Sequence, residues 1–364
     1  MTTRPRILLL SAYRSDSHAS WADWLVNHLN ADWRVLELPG RYFRWRIRGN
    51  PLSWLDDIPA LLNDWQPDRI LATSMVDICT VRGLHPALAQ VPVSLYFHEN
   101  QFAYPVGDGQ HSSVDPLMVQ LYGALAADEL LFNSRYNQRT FLEGVDALMA
   151  KMPDAKPESL SQRLVPKCHW LPVPVEPVPG QPPVTDTALP LLIWNHRWEY
   201  DKCPEALVLL VEELDRRGLP MRLALFGAGA KRLHPVRQQL QQQLGERVVA
   251  SGFMPRDEYR HWLGQGSVVF SAARHEFQGL AMLEAVSAGA FPVVPDDLCY
   301  QEQYPPLCRY PNGDVQAAAD RIERYLQQPS DRVDSDAVDV SEWLSPAVSK
   351  QWQAWLANIT AAVT

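Results

Sequence analysis

Short apolar runs alternate with longer amphipathic stretches along this chain of 364 residues, and a proline-rich segment divides the alternation into two halves. The segment from Pro172 to Pro190 contains seven prolines in nineteen residues. Neither a helix nor a central strand tolerates that density, because proline lacks an N–H donor and fixes φ. We therefore predict a stiff linker over residues 172–190, between a first domain over 1–171 and a second over 191–340.

The apolar runs predict the strands of two parallel sheets. The strand candidates are Ile7–Leu10, Arg69–Thr73, Val93–Phe97 and Glu129–Phe132 in the first half, and Leu191–Trp194, Arg222–Phe226, Val248–Ala250, Val268–Ser271 and Phe291–Val294 in the second. The helix candidates include Pro204–Arg217, Lys231–Leu244, Asp257–Leu263 and Leu280–Ala288. This alternation favours an α/β fold of two Rossmann-like, doubly wound domains facing a central cleft. Such domains bind ligands at the carboxyl ends of their strands.

Residues 341–364 predict a C-terminal helix. Trp343, Trp352 and Trp355 fall at mostly helical spacing, and Ser341 is a suitable N-cap. A face of this kind is typical of packing rather than chemistry. One arrangement open to the helix is to pack back on the first domain.

The composition favours a soluble enzyme over a membrane protein or a general nucleic-acid binder. No stretch approaches the roughly 18 consecutive apolar residues that a membrane span needs, and the run Ile7–Leu10 is too short for a signal peptide. A net charge of −9 argues against nonspecific binding to nucleic acid. The five cysteines form no Cys-x-x-Cys pair. We therefore expect a cytoplasmic enzyme without a zinc site.

One segment is locally basic although the chain as a whole is acidic. The residues from position 41 to 48 include Arg41, Arg44, Arg46 and Arg48, interleaved with three aromatic residues. If this run is extended, the arginines at 44, 46 and 48 lie on one face. Arginines beside aromatic rings suit RNA phosphates and unstacked bases, so the run is a candidate RNA contact. The alternative is a solvated loop whose rings are docked on the core.

The second half carries the most informative residues. The predicted strand Val268–Ser271 is followed by Glu276, and a helix is expected to open near Gly279. A helix N-terminus suits phosphate, and glycine lets a ligand approach the backbone closely. Glu284 lies eight residues after Glu276, which is about 12 Å along a helix and comparable to the distance from a sugar to a ribose across a pyrophosphate. The alternative is a pair of unrelated surface glutamates.

A pyrophosphate also needs cations, and two of them follow the predicted strand Leu191–Trp194. Arg197 and Lys202 lie between that strand and the helix that Pro204 opens. Arginine offers a bidentate fork and lysine a point charge. Taken alone, both are as compatible with solvated surface charges, but their place after a strand favours a site.

In the first half, polar residues follow two predicted strands. His98, Glu99 and Asn100 come directly after one strand, and Asn133 and Ser134 come after the next. His98 could bind a sugar hydroxyl or move a proton. The alternative is a structural histidine at a strand end.

Two common nucleotide-binding motifs are absent from the sequence. No Gly-x-Gly-x-x-Gly follows Ile7–Leu10, and no Gly-x-x-x-x-Gly-Lys-Ser/Thr loop occurs, which argues against dinucleotide and P-loop sites. The acidic triplet Asp334-Ser335-Asp336 lies in a polar stretch rather than after an apolar strand. We therefore expect no obligatory metal.

Together these residues resemble the retaining glycosyltransferases of family 4, which have the two-domain GT-B fold. The signature of that group is a Glu-x7-Glu pair, here Glu276 and Glu284. The resemblance implies that Glu276 and the following backbone amides contact the transferred sugar, and that Glu284 binds the ribose. The residues with those amides are Phe277, Gln278, Gly279 and Leu280. Arg197 and Lys202 resemble the pyrophosphate clamp of the group, and His98 its sugar-binding histidine near the reacting centre.

Longer strings are similar to the tRNA-queuosine α-mannosyltransferase family. They are Tyr96–Pro105, Phe132–Ser134, Trp194–Glu199 and His275–Phe277. The family implies transfer of mannose from GDP-mannose to queuosine in the anticodon of tRNA-Asp. The residues expected on the acceptor side are Ser17, His18, Arg41, Arg44, Arg46, Arg48, Glu99, Asn100, Asn133 and Ser134. The family has a glycine pair shortly before the Ser-His of the first loop, where this chain has Arg14-Ser15-Asp16.

Other functions share parts of this pattern. A GT-B glycosyltransferase with a lipid or glycan acceptor needs the same donor residues. A nucleotide-sugar epimerase and a non-catalytic protein that binds tRNA or a nucleotide sugar are the remaining alternatives. The sequence does not predict the oligomeric state.

Overall fold

The computed structural model describes residues 4–104, 113–180, 189–227, 234–327 and 338–363. Residues 181–188 of the predicted linker, the predicted helix start at Lys231 and the triplet Asp334–Asp336 lie outside the described residues. The chain forms two compact units. The first contains residues 1–174 and 348–364, and the second contains residues 175–347.

The first unit is built on a parallel sheet. Its strands are β1 (Arg6–Arg14), β2 (Asp32–Pro39), β3 (Arg69–Thr73), β4 (Val93–Phe97), β5 (Glu129–Phe132) and β6 (Cys168–Trp170), in the order β2-β1-β3-β4-β5-β6. Its helices are α1 (Asp16–His28), α2 (Phe43–Ser53), α3 (Asp57–Leu62), α4 (Ile78–Leu84), α5 (Asp115–Ala126), α6 (Arg135–Lys151) and α7 (Leu160–Leu164). Strand β4 is buried along its whole length, as expected of a central strand covered on both faces.

The second unit repeats this architecture with a different strand order. Its strands are β7 (Leu191–Trp194), β8 (Arg222–Leu225), β9 (Val248–Ser251), β10 (Val268–Phe270), β11 (Phe291–Pro295) and β12 (Arg309–Tyr310), in the order β12-β11-β10-β7-β8-β9. Its helices are α8 (Glu205–Arg216), α9 (Pro235–Leu244), α10 (Arg256–Gly264), α11 (Leu280–Ser287), α12 (Tyr300–Gln303) and α13 (Val315–Gln327). The predicted α/β class with two doubly wound parallel sheets is confirmed.

The last helix begins later than the sequence predicted. Ser341–Trp343 form a short 3-10 turn, and helix α14 runs over Ser345–Val363. Pro346 therefore lies in the first turn, where the N–H that proline lacks has no helical acceptor. From residue 348 onward the helix belongs to the first unit, where Trp352 Nε1 donates to the carbonyl of Pro172 at 3.0 Å.

The arginine-rich run is helical, which corrects the extended conformation considered for it. Helix α2 begins at Phe43, and the side chain of Ile47 is buried in the core of the first unit. On a helix Arg44 and Arg48 share a face, whereas Arg46 lies about 200° around the axis from Arg44. The three arginines therefore cannot act as one row.

Candidate functional site

The second unit places two loops side by side at the carboxyl edge of its sheet. Strands β7 and β10 are neighbours, and the strand order continues from them in opposite directions. In doubly wound sheets such a reversal opens a crevice in which ligands bind. The loop after β7 carries Arg197 and Lys202, and the loop after β10 carries Glu276.

Lys202 and Glu276 form a largely buried ion pair. The Nζ atom of Lys202 lies 3.2 Å from Glu276 Oε2 and 3.1 Å from Asp201 Oδ2, and it donates to the carbonyl of His275 at 2.5 Å. The side chains of Lys202 and Asp201 are 7% and 4% exposed, and that of Glu276 is 21% exposed. One ammonium group is thus shared between two carboxylates, and Glu276 is the one that keeps access to solvent.

The cluster fixes the charge of its members. Burial acts to raise the pKa of Glu276, but Lys202 and two neighbouring imidazoles outweigh it and lower the pKa to about 2. Burial acts to lower the pKa of Lys202, and the nearby carboxylates outweigh it and raise that pKa. Burial, assisted by Lys202, lowers the pKa of His196 and of His275 to about 4. At neutral pH Glu276 is therefore an anion, Lys202 a cation and both imidazoles are neutral.

The turn after Glu276 ends at Gly279, the N-cap of α11. Gly279 has a φ of 63°, in the left-handed region that favours glycine. A Cβ at this position would lie 3.2 Å from Tyr300 Cε1 and 3.6 Å from the Cγ of Glu276. The backbone conformation therefore calls for glycine, whereas an added Cβ would require only a small shift of the Tyr300 ring. Directly after it, the first N–H groups of α11 have no acceptor within the helix.

The residues between Glu276 and α11 present mainly their backbone. The side chains of Phe277 and Gln278 are buried. The N–H of Phe277 donates to Glu276 Oε1 at 3.2 Å, and Gln303 Nε2 donates to the carbonyl of Gln278 at 2.6 Å. Leu280 is the first residue of the helix. The predicted residues from 277 to 280 thus form a hydrogen-bonded turn that connects Glu276 to the N-terminus of α11.

Glu284 lies farther along α11 and belongs to a separate hydrogen-bonded chain. The hydroxyl of Tyr259 donates to Glu284 Oε2 at 3.1 Å and accepts from Asn195 Nδ2 at 3.2 Å. Asn195 Nδ2 also donates to the carbonyl of Ala281 at 2.6 Å. Burial raises the pKa of Glu284, and the hydrogen bond from Tyr259 offsets part of that effect. Sequence reasoning did not single out Asn195 or Tyr259, although the place of Asn195 directly after a strand was a usable signal.

Arg197 is placed differently from Lys202. Its side chain is 55% exposed and lies 3.4 Å from Glu199, which is itself 48% exposed. Several buried polar atoms at this edge of the sheet have no hydrogen-bond partner within the described ranges, among them Asn195 Oδ1, His196 Nε2 and Gln303 Oε1. Buried polar atoms are rarely left unpaired, so this edge of the sheet is suited to a polar ligand.

In the first unit, His98 lies at the carboxyl end of β4 among three other rings. The ring centroids of His18, Trp21 and Tyr96 lie 4.0, 4.7 and 4.7 Å from that of His98. In the part of the chain that the structure describes, His98 Nε2 is buried and has no hydrogen-bond partner. Burial, followed by the effect of His18, lowers the pKa of His98 well below its usual value. His98 is therefore neutral at pH 7 and can donate or accept one hydrogen bond at each ring nitrogen according to its tautomer.

The loop of His98 is held by buried amide side chains. Asn133 Nδ2 donates to the carbonyl of His98 at 2.8 Å, and Asn100 Nδ2 donates to Asn137 Oδ1 at 2.9 Å. Ser134 Oγ caps α6 by accepting from the N–H of Asn137 at 3.0 Å. The structure thus gives Asn100, Asn133 and Ser134 a role in supporting the loop, and their contact with an acceptor stays a prediction. Glu99 is half-buried, and its carbonyl accepts from a serine hydroxyl at 3.1 Å.

Arg14 stabilises the first loop in place of the glycine pair. Its guanidinium pairs with Asp23 at 3.0 Å and with Glu37, which ties β1 to α1 and β2. After it, Ser15 Oγ lies 2.7 Å from His18 Nδ1, and Ser17 is exposed. The loop therefore presents His18 to His98 without requiring glycine.

The four arginines of the basic run have different surroundings. Arg41 and Arg44 are exposed, and within the described residues no carboxylate pairs with either. Arg48 is 56% exposed and lies 2.7 Å from the buried carboxylate of Asp77. Arg46 is half-buried and donates to a serine of its own helix at 3.3 Å. Two of the four are thus uncompensated surface cations.

The described ranges contain no group of three or more histidine, cysteine, aspartate or glutamate side chains placed to hold a metal ion. None of the helices in these ranges is long and apolar enough to cross a membrane.

The two doubly wound parallel sheets match the GT-B fold of glycosyltransferases. Solved structures with this fold include sucrose-phosphate synthase from Thermosynechococcus elongatus (TM-score 0.72, 14% identity, covering 99% of this chain and 100% of that one). The lipopolysaccharide outer core galactosyltransferase WaaB is also similar (TM-score 0.65, 11% identity, 99% and 100% covered). Residues 182–337 match the model of glycosyl transferases group 1.

The family follows from two further matches. Residues 6–175 match the model of the tRNA-queuosine alpha-mannosyltransferase N-terminal region. The chain is 33% identical over 313 residues to the tRNA-queuosine alpha-mannosyltransferase of Drosophila melanogaster, covering 83% of this chain and 82% of that protein. The chain therefore belongs to the tRNA-queuosine alpha-mannosyltransferase family, which confirms the resemblance found in the sequence.

Proposed function

We propose that this protein transfers a mannosyl group from GDP-mannose to queuosine in the anticodon of tRNA-Asp, with retention at the anomeric carbon. The observation that carries the proposal is the buried Lys202–Glu276 pair beside the N-terminus of α11, in a chain of this family. The named relative supports the sugar and the acceptor, and the site supports the transfer chemistry.

The donor presents a diphosphate, which needs positive charge. The helix N-terminus after Gly279 supplies N–H groups and a partial positive charge, and exposed Arg197 supplies a bidentate fork. Lys202 is already shared between two carboxylates. It therefore contributes by compensating and orienting Glu276, so that the diphosphate does not meet an unpaired anion. No metal is part of this proposal.

The two glutamates suit the two sets of hydroxyls in a nucleotide sugar. Glu276 is ionised and keeps partial access to solvent, so its oxygens can accept hydrogen bonds from the hydroxyls of the mannose. Glu284 has one oxygen occupied by Tyr259, which leaves the other for the ribose. Glu276 lies in the turn before α11 and Glu284 lies within that helix, so the two carboxylates are placed to meet different parts of a sugar diphosphate nucleoside.

In the transfer step, the anomeric carbon exchanges its bond to a diphosphate oxygen for a bond to an acceptor oxygen. The bond from the anomeric carbon to the diphosphate breaks, and the growing negative charge is stabilised by Arg197 and the N-terminus of α11. A hydroxyl of queuosine attacks the same face of the sugar and forms the new bond, and its proton passes to the departing phosphate oxygen. Neutral His98 is assigned to a sugar hydroxyl near the reacting carbon, as the family resemblance implies.

The acceptor contacts are assigned to the first unit. Arg41 and Arg44 are uncompensated cations suited to phosphates, and Arg48 is partly compensated by Asp77. We assign Arg46 to support of α2, because it is half-buried and bonded within its own helix. A cytoplasmic location accompanies a tRNA substrate in this proposal.

Incubation with radiolabelled GDP-mannose tests the proposal. Queuosine-containing tRNA and the same tRNA without queuosine are offered side by side, and we expect label to enter only the former. Label that enters both tRNAs, or a lipid or glycan instead, would contradict the acceptor. A converted free nucleotide sugar with no acceptor present would indicate an epimerase.

A further inference from the structure

Helix α2 carries an exposed aromatic side chain with an unusual seat. The side chain of Trp45 is 53% exposed. A Cβ built on Gly49, one turn later, would lie 2.5–2.7 Å from three atoms of the Trp45 indole. The indole therefore covers the backbone at Gly49, and only a residue without a side chain leaves it room. This arrangement gives the ring a supported side and an open side.

The helix beneath that ring is firmly anchored. Asn50 is fully buried, donates to the carbonyl of Met75 at 3.2 Å and accepts from the N–H of Asp77 at 3.2 Å. These bonds tie α2 to the residues that follow β3, at the carboxyl edge of the first sheet. A ring on a fixed helix loses little conformational freedom when it binds a ligand, which favours recognition by stacking.

The residue that precedes α2 is conformationally strained. Tyr42 has a φ of 57°, in the left-handed region that residues with a Cβ rarely adopt. Its side chain is 70% exposed, and the guanidinium of Arg41 lies 5.6 Å from the centre of its ring. Strained residues of this kind cluster at functional sites, where the surrounding structure maintains them.

The charges around the two rings identify the class of partner. Arg41 and Arg44 are exposed and have no carboxylate partner within the described residues, although the whole chain carries a net charge of −9. Exposed rings interleaved with uncompensated cations suit a polyanion that also offers planar rings. Single-stranded nucleic acid has both features, because its bases are unstacked and its phosphates are regularly spaced.

We infer that Trp45, seated on Gly49, is a stacking platform for an unpaired base of the acceptor RNA, with Arg41 and Arg44 binding the adjacent phosphates. The inference rests on the proposed function for the nature of the acceptor. Trp45 would thus recognise an unpaired base of the RNA, whereas the arginines bind its phosphates. Stacking tolerates any base, so the platform selects a loop over a duplex and not one sequence over another.

Binding of unmodified RNA tests the platform without requiring transfer. The probes are a stem-loop with an anticodon-like loop and a duplex of the same stem, and dissociation constants are measured with the full chain at several salt concentrations. We expect Trp45→Ala to weaken binding of the stem-loop roughly tenfold, with the salt dependence unchanged. Trp45→Phe should retain most of the affinity, and Gly49→Ala should behave like Trp45→Ala because it displaces the indole.

Leu52→Ala is the matched control, since Leu52 is 59% exposed on the same helix. It should leave the affinity unchanged. Wild-type affinity of Trp45→Ala for the stem-loop, or an equal loss for the duplex, would overturn the inference. If the platform variants lose RNA binding but no tRNA accepts mannose, the proposed function fails and the platform stands. If mannose is transferred and Trp45→Ala binds normally, the reverse holds.

Discussion

Lys202 and Glu276 lie 74 positions apart in the sequence and form an ion pair at 3.2 Å, with side chains 7% and 21% exposed. Two loops of an α/β unit bring them together, and a third charged residue, Asp201, shares the same ammonium. Removing one partner of a buried pair leaves an uncompensated charge, whereas removing both can be nearly neutral. The pair can therefore be examined for stability and for chemistry separately.

Replacing Lys202 should damage the fold more than replacing the pair. We expect Lys202→Met to lower the free energy of unfolding by about 3 kcal/mol, because the carboxylates of Asp201 and Glu276 are then left without their shared cation. The double variant Lys202→Met, Glu276→Gln should recover part of that loss. Urea unfolding of both variants measures the difference, and a single variant as stable as the wild type would count against the pair.

Gly279 should be sensitive for two reasons that a control can separate. Gly279→Ala forces a left-handed alanine, at a cost of about 1 kcal/mol, and also places a methyl group close to Tyr300, in contact with Glu276. Gly218 has a similar φ, 73° against 63°, and a Cβ built there has no atom within 4 Å. Gly218→Ala is therefore the control for the backbone effect alone. We expect comparable losses of stability but weaker donor binding only for Gly279→Ala. Titration with GDP measures this, and equal affinities would argue against a role for the turn.

Stability should fall as the pH is lowered below neutrality. His18, His196 and His275 have pKa values of about 4 in the folded protein and about 6.5 when unfolded. The unfolded state therefore binds more protons between pH 6.5 and 4, and the free energy of unfolding decreases on acidification across that window. Each buried histidine should contribute on the order of 1–2 kcal/mol by pH 5.

The histidine effect is checked by unfolding at pH 7 and pH 5. His196→Asn should reduce the difference between the two values, whereas the same change at exposed His169 should not. A pH dependence that His196→Asn leaves intact would contradict the assignment of a neutral buried imidazole.

Neutralising the exposed arginines should weaken RNA binding through charge alone. We expect the double variant Arg41→Gln, Arg44→Gln to lower tRNA affinity and to reduce the slope of log K against log salt concentration by about 0.7 for each single-strand phosphate that the variant no longer binds. Arg163→Gln, at an exposed position on α7, is the control for a change of charge. An unchanged slope in the double variant would place the phosphate-binding residues elsewhere.

Much of the fold could be predicted because central parallel strands are covered on both faces. Val93–Phe97 is apolar except for Ser94 and Phe291–Val294 is apolar throughout, and both lie in strands. Strands β2 and β6 are at the edges of the first sheet, where exposed positions interrupt the apolar pattern. They were therefore missed.

The candidate site could be predicted in its residues but not in its contacts. Lys202 and Glu276 each follow a strand, and this position predicted that both lie at the carboxyl edge of the sheet. The burial of Lys202 and its sharing between two carboxylates depend on the adjacency of β7 and β10, which the sequence does not give. The extended conformation considered for the arginine-rich run was wrong for another reason. Its many charges obscure the helical spacing of the few residues that are buried, such as Ile47 and Asn50.

We propose that Glu276 holds the donor sugar during mannosyl transfer. The most direct measurement compares the wild type and Glu276→Gln for transfer of labelled mannose from GDP-mannose to queuosine-containing tRNA, with tRNA affinity measured in parallel. We predict a loss of at least about a hundredfold in transfer, because a charged hydrogen-bond acceptor is lost at the sugar, with tRNA affinity unchanged. Near-normal transfer by Glu276→Gln would contradict it.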